Sequence, residues 1–242
     1  MNIQRLNNHD HADLRISQDV SEYEKTIYSP IVLQEFRRLQ GCYPLVFTQP
    51  SDGSSYQPVA LFGLQAEENL FIDAGEWRTV HIPLLIQRGP FLIGTESATQ
   101  PDNLENNFIA VNGDHKALSL TEGTRIFNED GSNTEYLNHI TEVLNLIHSG
   151  IQTTDRFVEA LTTHDLITPL TLRIPLSRGK AAELTGLYAI DEEKVQSLSE
   201  RTLLQLHANN WLLPMYMMIA SLAQVSYLAD KKNQRISQSE VS

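Results

Sequence analysis

The densest run of chemically capable side chains is His9-Asp10-His11-Ala12-Asp13, two imidazoles and two carboxylates within five residues. Imidazole nitrogen and carboxylate oxygen are ligands for zinc and related ions, and an H-x-H-x-D order suits a metal site when a buried strand presents it and a further histidine follows. Here Leu14 follows and no strand-like run precedes. His9, His11 and Asp13 are therefore weak metal candidates, the plainer expectation is a polar segment with incidental histidines, and no cofactor is expected. His139-x-x-Glu142 puts two further potential ligands on one helix face, but without an H-E-x-x-H pattern it reads as a solvated polar pair.

A second grouping lies in Asp73 to Phe91. Trp77, His81, Arg88 and Phe91 bring two aromatic rings, a titratable group and a cation into nineteen residues. Such a set can line a pocket for an aromatic or carboxylate-bearing ligand, with Arg88 supplying a bidentate contact. The alternative is that Trp77 and Phe91 pack the core while Arg88 pairs with a backbone carbonyl or a carboxylate such as Glu35. An enzyme acting on peptides or small metabolites is the rival reading, its site drawn from His11, His81 or His139 with nearby carboxylates.

Other chemistries find little support. Gly89 to Thr95 has the glycine spacing of a phosphate loop, but its interior is apolar and it lacks the lysine. No G-x-G pair and no G-x-S-x-G occurs, which removes the dinucleotide and nucleophile-elbow signatures. Cys42 is the single cysteine, so no disulfide within the chain is available, and with no histidine beside it a buried thiol is expected rather than a nucleophile. The 242 residues carry 18 basic and 30 acidic side chains, the acidic ones shared equally between residues 1–120 and 121–242. A net charge of −12 without a basic cluster argues against nucleic-acid binding.

The elements that must position these residues change character along the chain. Residues 1–30 look loosely structured, and Ile31, Val32, Phe36 and Leu39 space a short helix ending at Gly41. Tyr43 to Thr48 and Val59 to Leu64 flank a turn-rich segment and read as a hairpin. Asn69 to Asp73 is a short strand with a turn at Ala74-Gly75, Thr79 to Ile86 is strand-like but interrupted by Pro83, and Phe91 to Ile93 and Phe108 to Val111 follow, divided by a polar loop. Beyond about residue 120 the period becomes helical. Leu137, Ile140, Leu144 and Ile147 space a helix that Gly150 should close, and Thr154 or Asp155 should cap the next. Leu170 to Leu176 and Leu184 to Ile190 form a late hairpin, Asp191 and Ser199 cap short helices, and a long apolar helix runs from about Leu213 to Lys231, with a frayed polar remainder. The expectation is an α+β fold, a β-rich N-terminal half packed with a helix-rich C-terminal half, as one domain over 1–242 or two halves meeting near residue 120.

Trp211 to Ala229 contains nineteen residues without a charge. Its length fits a membrane span, but Pro214, Ser221, Gln224 and Ser226 favour a helix buried in the core. The first twenty residues are polar, without a signal-type apolar run, so a soluble, cytoplasmic protein with no membrane span is expected.

Taken in order, Asp10-His11, Leu14-Arg15, Pro30 to Phe36, Tyr43-Pro-Leu-Val-Phe47, Ala60-Leu-Phe-Gly63, Glu68-Asn-Leu-Phe71, Trp77, Ile82-Pro83 and Arg88-Gly-Pro-Phe91 resemble the bacterial SapC-like family. Leu187-Tyr188, Ile190-Asp191-Glu192, Leu203 to Leu206, Met217 to Leu222 and Lys232-Asn233 continue the resemblance. The family is named for a surface-layer association and carries no established catalytic residues. Its members are often encoded near outer-membrane TonB-dependent receptors and tryptophan-halogenase-like proteins. The resemblance thus implies a binding or accessory role tied to nutrient uptake, metabolite handling or the cell surface, with a small-molecule or protein partner. A structural role is the third reading, with a homo-oligomer formed through the Met215 to Tyr227 helix.

Overall fold

A computed structural model describes residues 2–96 and 106–238. The strands are β1 (Ile3–Arg5), β2 (Arg15–Ile16), β3 (Tyr28–Pro30), β4 (Leu45–Thr48), β5 (Gln57–Leu61), β6 (Ile72–Asp73), β7 (Glu76–Trp77), β8 (Phe91–Glu96), β9 (Asn106–Asn112), β10 (Leu118–Ser119), β11 (Thr124–Arg125), β12 (Ile167–Pro175) and β13 (Ala181–Ile190). The α-helices are α1 (Phe36–Leu39), α2 (Leu84–Gln87), α3 (Glu135–Thr163), α4 (Glu192–Gln196), α5 (Glu200–Ala208), α6 (Leu212–Ser221) and α7 (Gln224–Gln238). The fold is α+β, with strands concentrated early, helices late, a late hairpin and a long apolar C-terminal helix over 212–238.

Two compact units share the chain, one from Met1–Glu22 and Leu84–Ser149, the other from Tyr23–Pro83 and Gly150–Ser242. In the first, β9 pairs with both β1 and β8, and β2 pairs with β10 and β11, all antiparallel. The first half of α3 lays Leu137, Ile140 and Leu144 into a buried cluster with Leu14, Phe91, Val111, Ile126 and Phe127. The second unit holds a five-stranded sheet in the order β12-β13-β4-β5-β3, with β6 and β7 as a separate ribbon. Pro169 and Pro175 sit in β12, an edge strand, where a missing N–H leaves no gap in the sheet.

Several local expectations are corrected. The segment 1–30 is not loose: β1, β2 and β3 each find a partner far along the chain, as when Ile3 pairs with Asn112. Strands of two or three residues carry no periodicity, so only the pairing reveals them. After Pro83 the chain forms the helical turn α2 rather than a strand, in keeping with proline's tolerance just ahead of a helix. Gly150 does not end a helix, and α3 runs through it for 29 residues. A Cβ at Gly150 would lie 2.7 Å from the Val32 Cβ, so this glycine lets the Val32 segment approach the helix. Thr154 does not cap a new helix either. Its Oγ1 donates back to the Gly150 carbonyl at 2.8 Å and accepts from the Leu33 N–H at 2.9 Å.

Asp191 and Ser199 cap α4 and α5 as expected, accepting from the Lys194 and Thr202 N–H groups at 3.1 and 3.2 Å. Residues 233–238 continue α7 instead of fraying, while 239–242 and the tip of the polar loop, 97–105, lie outside the described residues. The apolar helix is buried along one side only. Pro214, Met215, Met217, Met218 and Ser221 are buried, whereas Leu213, Tyr216 and Tyr227 are 51%, 52% and 42% exposed. By length and composition 212–238 could cross a membrane, and a third of its most apolar window is buried inside the protein.

Candidate functional site

The His9 to Asp13 run belongs to a turn built by Asn7. Its Oδ1 accepts from the His9 and Asp10 N–H groups at 3.0 and 2.8 Å, and its carbonyl accepts from the His11 N–H. The turn sends its side chains three ways. His9, 94% exposed, meets Asp10 at 3.0 Å, and Asp13 pairs with Arg125 at 2.8 Å. The His9 hydrogen bond, followed by that from Asn7, holds the Asp10 carboxyl below its ordinary value. Among the described residues no group of three or more His, Cys, Asp or Glu side chains is placed to hold a metal ion.

His11 alone faces a recess. Its Nε2 lies 3.2 Å from Gln4 Oε1, and its Nδ1 lies 3.3 Å from the Asn7 N–H and 3.2 Å from the Asn7 carbonyl. With the proton on Nε2 the ring donates to Gln4 and accepts from the Asn7 N–H; with it on Nδ1 the ring donates to the Asn7 carbonyl instead. The recess has a volume of about 360 Å³ and is lined by the polar side chains of Asn2, Gln4, His11 and Ser119, the aliphatic ones of Leu14, Val111, Leu118 and Leu120, and Gly113. Pairing of β1 with β9, which sets Gln4 opposite Val111, and of β10 with β2 holds these walls in place. A recess lined about equally by aliphatic and hydrogen-bonding side chains can take a small ligand with an apolar body and a polar edge.

The second grouping is divided between the units. Trp77 and His81 belong to the second, Arg88 and Phe91 to the first. Trp77 packs edge-on to Phe62 with ring centroids 5.1 Å apart, and its Nε1–H donates to the Tyr43 hydroxyl at 2.8 Å. The Tyr43 hydroxyl donates to the His81 carbonyl at 2.6 Å and lies 2.5 Å from Thr79 Oγ1. Burial pushes the Tyr43 phenol well above its ordinary value, so it stays protonated and acts as a structural node. Burial likewise raises the neighbouring Cys42 thiol, against a weaker opposing hydrogen bond from the His81 backbone, which keeps it from being a ready thiolate. Phe91 is fully buried with its ring 6.3 Å from Tyr136, and Arg88 Nη1 donates to the Phe91 carbonyl at 3.0 Å. His139, exposed on α3, meets Gln87 Oε1 at 3.3 Å.

A clamp that no local pattern announces lies in the second unit. A Cβ at Gly63 would lie 2.3 Å from the Glu68 carbonyl oxygen, so only glycine permits the loop between them to close. Glu68 Oε2 accepts from the Leu64 N–H at 3.0 Å, while Oε1 forms an ion pair with Lys232. Asn69 accepts from the Phe71 N–H at 2.9 Å and donates to the Tyr23 carbonyl at 3.1 Å. A groove of about 650 Å³ opens beside the clamp, but Glu68 and Asn69 in its wall are turned to these fold contacts, and Arg235 donates to the Ile72 carbonyl at 2.7 Å. Glu68 and Lys232 stand 164 residues apart, and the only hint of them in the sequence is their presence in the motifs Glu68-Asn-Leu-Phe71 and Lys232-Asn233.

Comparison with curated proteins and with solved structures returns no match. The model of one family, SapC, matches residues 6–228, which include the His11 turn, the Gly63 and Glu68 clamp and most of the apolar helix. On a match of that extent, the chain belongs to the SapC family.

Proposed function

We propose that this SapC-family chain is a non-catalytic binding or accessory protein of the cytoplasm, and that the recess beside His11 receives its ligand. The observation that carries this reading is a recess of about 360 Å³ whose lining combines four aliphatic side chains with Asn2, Gln4, His11 and Ser119. The ligand class that suits these walls is a small molecule with a hydroxyl or amide edge and an aliphatic body. Formal charge is disfavoured because no Asp, Glu, Lys or Arg side chain lines the recess. A task in nutrient uptake, metabolite handling or at the cell surface follows from the company that SapC-like proteins keep.

The test is a thermal-shift and NMR screen of small hydroxylated and amide-bearing aliphatic compounds against the full chain. Hits should perturb the His11 imidazole and Leu120 methyl resonances, and His11→Ala with Leu120→Asp should abolish them. Hits that instead require Trp77 or Arg88 would move the site to the second grouping, and chemical conversion of a hit would replace the binding reading with the enzymatic one.

A further inference from the structure

The apolar C-terminal helix presents a patterned face to solvent. Leu213, Tyr216, Ala220, Ala223 and Tyr227 are all exposed and follow one another at spacings of three, four, three and four. That alternation is the seam along which two helices pack. Ala223 lies in the two-residue turn between α6 and α7, where tightened bonds such as Ala223 N–H to the Ala220 carbonyl and Ser226 N–H to the Ala223 carbonyl join the helices, and exposed positions of the pattern stand on both sides of it.

We infer that this face docks against the same face of a second copy of the chain, the two helices antiparallel. The pattern is self-complementary about a point between Ala220 and Ala223. A two-fold axis there sets Ala220 against Ala223 of the second copy, Tyr216 against Tyr227, and Leu213 against Asp230. Small residues at the centre let the backbones approach, and the tyrosines close each side, an isologous arrangement of the kind two-fold dimers require. This inference is independent of the recess beside His11.

Charge selects this occupant and orientation. The N-terminus of α6 has no side-chain cap at Trp211 and no acidic residue in its first turn. An exposed carboxylate, Asp230, stands at the far end of the seam. Antiparallel docking delivers Asp230 of one copy to the positive end of α6 in the other, at both ends of the interface. Parallel docking would oppose Asp230 to Asp230 and leave both helix ends bare. The chain carries −12, so copies repel one another except across a surface such as this one, uncharged from Trp211 to Ala229. Tyr227 is already held for contact, its ring 6.2 Å from Phe71 and 5.0 Å beneath Lys231 Nζ.

Sedimentation equilibrium of the full chain from about 1 to 100 µM covers the affinities such an interface can reach. The expected result is a dimer that tightens with added salt as the like charges are screened. Ala220→Glu and Tyr216→Glu should weaken it by at least about tenfold while leaving circular dichroism unchanged, because a charge is then buried within the interface. Orientation is read separately, in a Cys42→Ser background. Chains carrying Ala220→Cys and Ala223→Cys should cross-link with each other faster than either does with itself. A monomer at every concentration, a dimer indifferent to Ala220→Glu, preferential self-linkage of the Ala220→Cys chain, or a monomer that instead sediments with phosphatidylcholine and phosphatidylglycerol vesicles would each overturn the proposal.

Discussion

Polar side chains around the two groupings are used differently. Around the second, Glu68, Asn69, Tyr43, Trp77 and Thr154 are spent on backbone groups and on one another: a carboxylate closes a loop and meets Lys232, an indole feeds a phenol, and a threonine bridges two segments. Around the first, Asn2, Gln4, His11 and Ser119 line a recess together with Leu14, Val111, Leu118 and Leu120. The Trp77 grouping is thus taken up by scaffold contacts, while of the His9 to Asp13 run only His11 lines the recess. A residue type capable of chemistry says little until its partners are known, and Trp77, the most conspicuous side chain of its segment, turns out to be a hydrogen-bond donor to a buried tyrosine.

Substitutions should reproduce that contrast. The largest effect is expected for Lys232→Ala, which leaves the Glu68 carboxylate buried without its cation and should cost about 3 to 5 kcal/mol in urea unfolding. Glu68→Gln combined with Lys232→Met should recover much of that loss. Gly63→Ala comes next, at about 1 to 3 kcal/mol, since its methyl group meets the fixed Glu68 backbone.

Tyr43→Phe should cost about 1 kcal/mol by removing one of the two partners that the Trp77 N–H and the His81 carbonyl each have, Thr79 Oγ1 being the other. It should also change the alkaline limb of the stability curve. The folded phenol titrates above its ordinary value of 10.0, so the unfolded chain releases this proton first and stability falls as pH climbs past that value. The variant should lose that part of the slope, and an unchanged slope would mean that Tyr43 is not buried as described. The smallest effect on stability, within about 0.5 kcal/mol, is expected for His11→Ala on its exposed turn. A large loss there would make His11 part of the scaffold and erase the contrast between the groupings.

Much of the fold is legible in the sequence because local chemistry and tertiary structure agree. Asp191 and Ser199 announce their caps, the turn-rich segment between Thr48 and Gln57 announces a hairpin, and the period of α3 is readable from Leu137 onward. The same period continues through Thr154, Val158 and Leu161, so the helix could have been followed past Gly150. Its interruption comes from treating glycine as a local signal when its cause is a neighbour over a hundred residues away. The pairing of β1 with β9 and the Glu68 to Lys232 contact are non-local in the same sense, and no window along the chain contains them. For the candidate site, His11 is legible as a chemically capable residue and Leu14 follows it in the same turn, but Val111, Leu118 and Ser119, which line the recess with them, are brought there by strand pairing and not by sequence spacing. The exposure of one side of the apolar helix was hidden for a related reason: composition reports how apolar a helix is, and only packing reports which face is covered.

The most direct test of the contrast is a paired ligand-binding measurement on His11→Ala and Trp77→Phe, using the compounds that stabilise the unaltered chain. If the recess is the ligand surface and the second grouping is scaffold, His11→Ala keeps its unfolding midpoint and loses binding by at least about tenfold, roughly the 1.4 kcal/mol of a good polar contact. Trp77→Phe should lose stability and keep its affinity. Binding that survives His11→Ala but disappears in folded Trp77→Phe would contradict the account.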